Sequence, residues 1–589
     1  MDRMKAVLSG NEAIARGAFE SGVLFAAGYP GTPSTEILEE IAKFKDIDAQ
    51  WSPNEKVALD SAVGASLGGI RSLVAMKHVG LNVAADTLMT LSYTGINAGL
   101  ILVTADDPGM HSSQNEQDNR NYAKFAKVPL LEPSDSQEAK DYIGIALQIS
   151  ERFDTPVLIR ITTRIAHSRS VVKTSHRCKK LFHKRLYVSN PNKYVMVPSN
   201  ARRRRIFVEY RLSRLREFSE KFSCNRIEWN KKNFGIITSG ISYQYAKEVC
   251  PDASFLKLGM IFPLPEFLIK SFAREFPFLY VIEELDPFLE EQIKAMGILV
   301  KGKELFPSVG ELNPVLVQDG LFNRTPKIIN SNYKQILPRS SLLCAGCSYL
   351  GLFYILKKLN AIVIGDIGCY ALSVSLPVSA MDTCISMGSS IGIALGLRKA
   401  LKGSSAGKII AVIGDSTFIH SGITALIDVV YNKGANTIII LDNQTTAMTG
   451  GQDHPGTGIT LKKEKTYKIN YTRLVKGLGI KRIRTVDCYN LRKSQEIIRE
   501  EMASNLPSVI IAKNPCLLAA KRKRTASFHI LTSRCIGCKE CLKLGCPAIA
   551  VNNKNKPYID SAMCSGCSLC QQVCSEDAIK KVNDEQRHH

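Results

Sequence analysis

Eight cysteines stand at close, repeated spacing near the carboxyl end of the chain. Structural zinc sites, the main alternative, usually show separated C-x2-C pairs, whereas here each group opens with a C-x2-C-x2-C triplet. Triplets of this kind followed by a fourth cysteine hold iron–sulfur clusters. The sequence therefore predicts a tail that carries electrons. The two runs are Cys535-x2-Cys538-x2-Cys541-x4-Cys546 and Cys564-x2-Cys567-x2-Cys570-x3-Cys574.

The two runs are expected to exchange ligands, because in bacterial two-cluster ferredoxins the fourth cysteine of each run ligates the other cluster. We therefore predict two [4Fe-4S] clusters in a ferredoxin-like α+β domain. The first run has an extra residue before its last cysteine, and Ser575 replaces the usual proline, but neither change removes a ligand. One cluster is assigned to Cys535, Cys538, Cys541 and Cys574, and the other to Cys546, Cys564, Cys567 and Cys570.

Two apolar runs farther upstream end in polar residues. The first ends in Gly414, Asp415 and Ser416, and the second is followed by Asn443 and Thr445. The pair resembles the thiamine-diphosphate motif GDG followed by NN. One βα unit brings the carboxyl ends of parallel strands together, so Asp415 and Asn443 are expected to converge on one Mg2+, completed by a backbone carbonyl near Thr445. The alternative is a strand end and an ordinary turn.

Two further stretches could complete such a site. Glycine-rich residues before a helix, Met387, Gly388 and Ser389, fit a backbone lining for the cofactor. The segment around Glu55 resembles the pyrimidine-binding domain of 2-oxoacid:ferredoxin oxidoreductases, which implies that Glu55 is the catalytic carboxylate that activates the aminopyrimidine. The alternative is a solvated glutamate at a helix start.

These residues require parallel sheets to position them. Short apolar runs alternate with helical patterns through most of the chain, which predicts a multidomain α/β protein with doubly wound parallel sheets. The resemblance of the motifs above implies that these sheets bind thiamine diphosphate. The predicted domains are a pyrimidine-binding domain (1–168), a basic linker or insertion (169–232), a transketolase C-terminal-like domain (233–325), a diphosphate-binding domain (338–515) and the ferredoxin-like domain (525–584).

This domain order resembles the alpha subunit of indolepyruvate:ferredoxin oxidoreductase. The more particular matches are "DDPGMHSSQNEQDNR", "ITTRIAHSRS", "GDIGCY" and "LDNQTTAMTGGQ". The resemblance implies thiamine-dependent oxidative decarboxylation of arylpyruvates to the acyl-coenzyme A and CO2, with electrons passing through the two clusters to ferredoxin. It also implies a smaller beta subunit, in a heterodimer or an α2β2 assembly. The alternatives are a non-oxidative thiamine-dependent decarboxylase, an oxidoreductase for another 2-oxoacid, and an electron-transfer subunit on an inactive scaffold.

Three other cysteines raise a separate question. In related oxidoreductases a CPGCPH motif holds a further cluster beside the thiamine, but Ala345 and Ser348-Tyr349 depart from that motif here. Cys344, Cys347 and Cys369 could be ligands, yet no fourth thiolate has an obvious spacing. We therefore favour the interpretation that they only line the cofactor pocket.

Composition limits the remaining classes. The absence of an apolar leader, and the presence of 17 cysteines, predict a cytoplasmic protein whose thiols are free, catalytic or metal-bound. The net charge of +23 has no accompanying base-reading motif, so nucleic acid is not expected as a partner. No membrane is expected either, because the apolar runs are far shorter than the roughly 20 residues of a membrane span. Solvated surface charge or an acidic electron carrier explains the excess, which concentrates in 175–216 and in Lys521, Arg522, Lys523 and Arg524.

Overall fold

The computed structural model describes residues 4–177, 186–187, 189–324, 341–401, 407–520 and 526–582. The chain divides into two units, residues 1–331 and 332–589, which are treated separately below. The basic run 521–524 lies outside the described residues. Among the helices that are described, none combines the length and the apolar character that crossing a bilayer requires.

Unit 1 alternates strands and helices along its whole length. Its strands are β1 (Met4–Ser9), β2 (Phe25–Gly28), β3 (Asp48–Trp51), β4 (Ser72–Lys77), β5 (Leu100–Asp106), β6 (Leu130–Leu131), β7 (Val157–Thr162), β8 (Arg169–Thr174), β9 (Arg226–Glu228), β10 (Lys231–Ser239), β11 (Ala253–Leu258), β12 (Met260–Phe262) and β13 (Leu279–Ile282). Its helices are α1 (Gly10–Glu20), α2 (Thr35–Ile41), α3 (Glu55–Leu67), α4 (His78–Thr94), α5 (Arg120–Ala126), α6 (Ser136–Phe153), α7 (Thr163–His167), α8 (Pro191–Tyr194), α9 (Pro198–Glu220), α10 (Gly240–Val249), α11 (Glu266–Ala273), α12 (Phe288–Ala295) and α13 (Pro314–Phe322).

The main sheet of unit 1 has seven strands in the order β12-β6-β7-β5-β4-β2-β3. All neighbouring pairs are parallel except β12 with β6. A second sheet has the order β13-β10-β11-β9, with only β9 antiparallel. The predicted α/β class is therefore confirmed for this unit, and the crossover order puts the carboxyl ends of β2, β3, β4 and β5 at one edge.

The stretch expected to be a basic linker or insertion contains β8, α8, the 23-residue helix α9 and β9. Two of its arginines are structural. Arg204 donates from Nε to the carbonyl of Tyr93 at 2.6 Å, and buried Arg211 donates to the carbonyl of Ser92 at 2.8 Å. Both carbonyls lie in the last turn of α4, where a cation is stabilising. Part of the basic excess therefore stabilises a helix end.

Unit 2 contains a six-stranded sheet in the order β15-β14-β16-β17-β19-β18. Every neighbouring pair in it is parallel, which confirms the predicted class here too. The strands of the unit are β14 (Ile362–Gly365), β15 (Thr383–Cys384), β16 (Ile409–Gly414), β17 (Thr437–Asp442), β18 (Arg482–Val486), β19 (Ser508–Lys513), β20 (Phe528–Ile530), β21 (Ile549–Val551), β22 (Pro557–Ile559) and β23 (Ile579–Lys581). The helices are α14 (Ser348–Lys358), α15 (Ser389–Ala400), α16 (Asp415–Thr417), α17 (Ile423–Tyr431), α18 (Tyr471–Gly477), α19 (Leu491–Met502) and α20 (Leu569–Gln572).

The cysteine-rich tail forms two small antiparallel pairs, β20 with β23 and β21 with β22. Its apolar side chains belong to the same hydrophobic core as α14, with Leu544 and Leu569 in one cluster with Phe353. Polar contacts reinforce the packing: the Tyr354 hydroxyl donates to Glu540 at 2.9 Å. The tail is therefore packed onto the body of unit 2 that contains the six-stranded sheet, and its cysteines have fixed positions relative to that sheet.

Unit 1 contains a buried network with more acidic than basic groups. Arg120 pairs with Asp118 and Glu283, and Arg160 pairs with Asp106 and Glu132. Glu284 is buried beside them, and its Oε2 has no hydrogen-bond partner. Burial raises the pKa of Glu284 to about 7 and the pKa of Asp106 to about 6. Glu284 is therefore protonated in the folded protein at mildly acidic pH.

This assignment predicts a pH dependence of stability. The folded protein binds the Glu284 proton more tightly than the unfolded chain, so the stabilisation is complete below the ordinary carboxyl pKa of 4.5 and is lost as pH rises through about 7. Between about pH 5 and about pH 8 the parent's free energy of unfolding should decline, and Glu284→Gln should remove on the order of 3 kcal/mol of that decline. Urea unfolding midpoints measure this, with exposed Glu291→Gln as control. Parallel pH profiles for parent and Glu284→Gln would contradict it.

Candidate active site

Asp415 and Asn443 meet at the carboxyl edge of the unit 2 sheet. Asp415 follows β16, Asn443 follows β17, and these neighbouring strands pair Gly414 with Leu441. Asp415 Oδ2 accepts the backbone N–H of Gln444 at 2.9 Å, one residue after Asn443. The structure thus brings together the two residues that the sequence motif predicted as Mg2+ ligands.

The surrounding loop is ordered by its own hydrogen bonds. Asn443 Oδ1 accepts the N–H of Thr445 at 3.1 Å, and the Thr445 hydroxyl donates to the carbonyl of Gln452 at 3.3 Å. Ser416 donates its N–H to Asp415 Oδ1 at 2.8 Å, and its hydroxyl accepts from Thr446 at 3.2 Å. Ser416 and Thr445 are therefore beside the pair, as predicted.

Two buried polar atoms at this edge lack hydrogen-bond partners: Asp442 Oδ1 and His454 Nε2. His454 Nε2 lies 3.4 Å from Asp415 Oδ2. Burial, followed by the charge of Asp415, raises the pKa of Asp442. A divalent cation and its diphosphate would supply the missing partners, and carboxylate and amide oxygens are the donors Mg2+ prefers. The residues present therefore fit a magnesium diphosphate group.

The glycine-rich segment before α15 has a different local role. Gly388 has φ of +84°, and a Cβ there would lie 2.4 Å from Ser421 Cβ, so only glycine fits. The N–H groups of Gly388 and Ser390 donate to the buried carboxylate of Asp366 at 2.7 and 3.0 Å. Ser389, two residues after Met387, donates its hydroxyl to the carbonyl of Ser386. These N–H groups are thus already used within the chain.

Glu55 is the first residue of α3 in unit 1 and is 5% exposed. The side chain of Asn54 caps the helix by accepting the N–H of Val57 at 2.9 Å. The Glu55 carboxylate packs on Gly80 in the first turn of α4, where a Cβ would lie 2.6 Å from Oε1. The solvated-glutamate alternative therefore does not describe this residue, because the carboxyl is buried against a second helix.

Four cysteines of the tail surround one cavity, with Ile536 and Ala578 also in its lining. Burial, and then the charges of the other three, raise the pKa of Cys541 to about 11. Cys538 is exposed, and so is Ile536 between the first two cysteines. We name this set the outer cysteine group: Cys535, Cys538, Cys541 and Cys574.

The other four cysteines of the tail surround a second cavity. Burial, and then the charges of the other three, raise the pKa of Cys570 to about 12, with a smaller contribution from Cys541 of the outer group. The two groups are therefore adjacent, and each contains the fourth cysteine of the opposite run, as the crossed pattern predicted. We name this set the middle cysteine group: Cys546, Cys564, Cys567 and Cys570.

The spacing of the thiols bears on the zinc alternative. Four thiolates at about 2.3 Å from one zinc ion would crowd to within about 4 Å of one another. Within the ranges that the structure describes, no three His, Cys, Asp or Glu side chains converge closely enough to hold a single metal ion. The thiols instead line cavities, an arrangement that fits a larger iron–sulfur group.

A third group forms around the cysteines that the sequence had left without a fourth ligand. Cys516, shortly after β19, lies with Cys344, Cys347 and Cys369, and burial together with the charges of the other three raises the pKa of Cys347. A further cluster was not expected because no fourth thiol was visible in the sequence. The structure supplies that thiol from a distant strand end. We name these four the inner cysteine group.

The inner cysteine group lies between the Asp415–Asn443 pair and the middle cysteine group. Cys516 donates its backbone N–H to the carbonyl of Asn443 at 3.0 Å. On the other side, burial raises the pKa of the Cys546 thiol, and the nearby backbone amide of Gly346 opposes that rise. Gly346 has φ of +77°, and a Cβ there would lie 1.8 Å from the hydroxyl of Ser565 in the middle group's loop. The contact therefore requires glycine.

Sequence reasoning missed Asp442, His454 and Cys516 as components of this edge. Asp442 was visible as the residue replacing the first Asn of the motif. Cys516 carried only one signal, its place just beyond the last buried strand of the sheet, β19.

Comparison with known proteins agrees with this arrangement. Residues 366–512 match the family "Thiamine pyrophosphate enzyme, C-terminal TPP binding domain", and residues 16–216 match "Pyruvate flavodoxin/ferredoxin oxidoreductase, thiamine diP-bdg". The first range contains Asp415 and Asn443, and the second contains Glu55. Both units of the chain thus contain a range that matches a thiamine-diphosphate-binding family.

Relatives extend over nearly the whole chain. The indolepyruvate oxidoreductase subunit IorA of Archaeoglobus fulgidus is 39% identical, covering 98% of this chain and 97% of the relative. The same subunit of Pyrococcus horikoshii is 38% identical, again covering 98% and 97%. A solved 2-oxoglutarate:ferredoxin oxidoreductase from Magnetococcus marinus covers 54% of this chain and 65% of its own, at 16% identity and a TM-score of 0.44. The chain belongs to the indolepyruvate oxidoreductase subunit IorA family, within the 2-oxoacid:ferredoxin oxidoreductases.

Proposed function

We propose that this chain is the thiamine- and cluster-bearing subunit of an enzyme that oxidatively decarboxylates an arylpyruvate of the indolepyruvate type. The 2-oxoacid and coenzyme A give the acyl-coenzyme A and CO2, and the released electron pair reduces ferredoxin. The IorA relatives are named as indolepyruvate oxidoreductase subunits, which supports the substrate class and the presence of a further subunit. The family resemblance implies that this partner is the smaller beta subunit. The alternative of a non-oxidative decarboxylase leaves the cysteine groups without a role.

One observation carries the proposal: the backbone of Cys516 is hydrogen-bonded to Asn443. The same edge that would hold the cofactor thus also holds a thiol group suited to receiving electrons. Bound thiamine diphosphate would supply carbanion stabilisation as CO2 leaves. Asp415, Asn443 and the carbonyl near Thr445 would hold its Mg2+, and Glu55 would hold the proton shared with the pyrimidine nitrogen.

The three cysteine groups would hold three [4Fe-4S] clusters, one more than the tail alone predicts. Buried thiols that mutually raise their pKa values are poor thiolates unless iron stabilises the charge. The groups touch in the order inner, middle, outer, and the outer one reaches the surface at Cys538. Electrons would leave there to ferredoxin, which fits an acidic carrier approaching a basic protein.

Removing one proposed cofactor-contacting group from each unit should separate binding from turnover. Asp415→Ala should abolish retention of thiamine diphosphate, because the Mg2+ that neutralises the diphosphate loses its carboxylate. Glu55→Gln should bind the cofactor nearly as the parent does but stop turnover, because it cannot exchange the pyrimidine proton. Calorimetric binding and anaerobic dye reduction measure the two effects, with exposed Asp60→Asn on α3 as control. Equal loss of binding in both variants would contradict the division of roles.

The inner cysteine group makes a separate prediction about iron. The anaerobically purified parent should contain about twelve iron atoms per chain, from three clusters of four. Cys516→Ala should lower this to about eight while thiamine diphosphate still binds. The matched control is Cys488→Ala, a buried cysteine of unit 2 outside the three groups. About eight iron atoms in the parent, unchanged in Cys516→Ala, would show that this group holds no cluster.

A further inference from the structure

His454 is a buried histidine at the Asp415–Asn443 edge that neither the motif nor the metal assignment uses. It is 6% exposed, and its Nε2 lies 3.4 Å from Asp415 Oδ2. That carboxylate oxygen already accepts the N–H of Gln444 at 2.9 Å. The geometry of the His454 ring leaves Nε2 without a hydrogen-bond partner.

The other ring nitrogen fixes the tautomer. Gly456 donates its backbone N–H to His454 Nδ1 at 3.1 Å, so Nδ1 carries the lone pair. In the neutral ring the hydrogen then resides on Nε2. A protonated nitrogen cannot ligate a metal ion, so Nε2 is a donor that faces the site rather than a magnesium ligand. Its natural partner is an anion.

The charge of the site points to the same kind of partner. A diphosphate would join two carboxylates, Asp415 and Asp442, around one divalent cation, which leaves negative charge to be met by donors. Lys468 and Lys513 also act on Asp442, and both are exposed. His454 is the buried hydrogen-bond donor at this edge. A buried donor without a partner is destabilising, and an anionic ligand at this position would remove that cost.

We propose that His454 is a diphosphate-binding residue whose Nε2–H donates a hydrogen bond to a phosphate oxygen of thiamine diphosphate. The inference rests on the proposed function, because it needs the cofactor at this edge. It assigns His454 to binding the phosphate, while Asp415 and Asn443 bind the cation. Hydrogen bonds to charged acceptors are the stronger class, so the contact should contribute measurably to cofactor affinity.

Two amide variants test the proposal. His454→Asn keeps the hydrogen-bond acceptor at the Nδ1 position, and His454→Gln keeps the donor at the Nε2 position. In His454→Asn the side-chain oxygen can still accept the Gly456 N–H, but no donor reaches the Nε2 position. In His454→Gln the amide nitrogen can reach the Nε2 position. At saturating Mg2+, the dissociation constant for thiamine diphosphate should rise about tenfold or more in the Asn variant and less than about threefold in the Gln variant. Calorimetry on the anaerobic full-length chain measures both, and retained iron content shows that unit 2 is folded.

The outcomes separate this inference from the function beneath it. If the parent binds no thiamine diphosphate, the proposed function fails, and this inference fails with it. If the parent binds and the Gln variant is weakened more than the Asn variant, His454 acts only as the acceptor for Gly456. Equal losses in the two variants, or no loss in the Asn variant, would also overturn the inference while leaving the proposed function intact.

Discussion

The site of unit 2 depends on one constraint, the shared carboxyl edge of four parallel strands. β14 leads to Cys369, β16 to Asp415, β17 to Asn443 and β19 to Cys516. Parallel hydrogen bonding fixes the strands in register, so their following loops must meet. Under the proposed function, two of these loops would supply oxygen ligands and two would supply thiols. The same backbone ladder would then position both the cofactor and the first electron acceptor.

The tail adds two further cysteine groups to this arrangement, and it packs directly against the body of unit 2. Its apolar residues complete the core over α14, and Gly346 makes backbone contact with the loop that carries the middle cysteine group. Short, rigid contacts of this kind hold the three cysteine groups in a fixed series. If the tail were joined only by a flexible linker, the distances between the cysteine groups would vary. Under the proposed function, this packing would give electrons a defined route from the buried edge to the exposed Cys538.

Much of this was predictable where chemistry depends on local spacing. The tail's two triplets predicted that Cys546 and Cys574 exchange between the two groups, and the strand-end motif predicted that Asp415 and Asn443 converge. Cys516 was not predictable, because its partners lie far away in sequence and only the strand order brings them together. The proposed role of His454 was not predictable either, because it depends on which ring nitrogen accepts the backbone N–H of Gly456. The charge of the basic stretch 169–232 was predicted to be largely solvated, but two of its arginines donate hydrogen bonds to the end of α4. Sequence alone does not distinguish such arginines from solvated ones.

The central claim is that electrons released by the 2-oxoacid enter the chain's own cysteine-bound clusters. The most direct test mixes the anaerobic, cofactor-loaded enzyme, with its partner subunit, with indolepyruvate and coenzyme A in the absence of ferredoxin. The account predicts that the visible absorbance of the clusters bleaches and that the resonance signals of reduced clusters appear, only when the 2-oxoacid is present. Release of CO2 with the clusters remaining oxidised would contradict it and identify a non-oxidative decarboxylase.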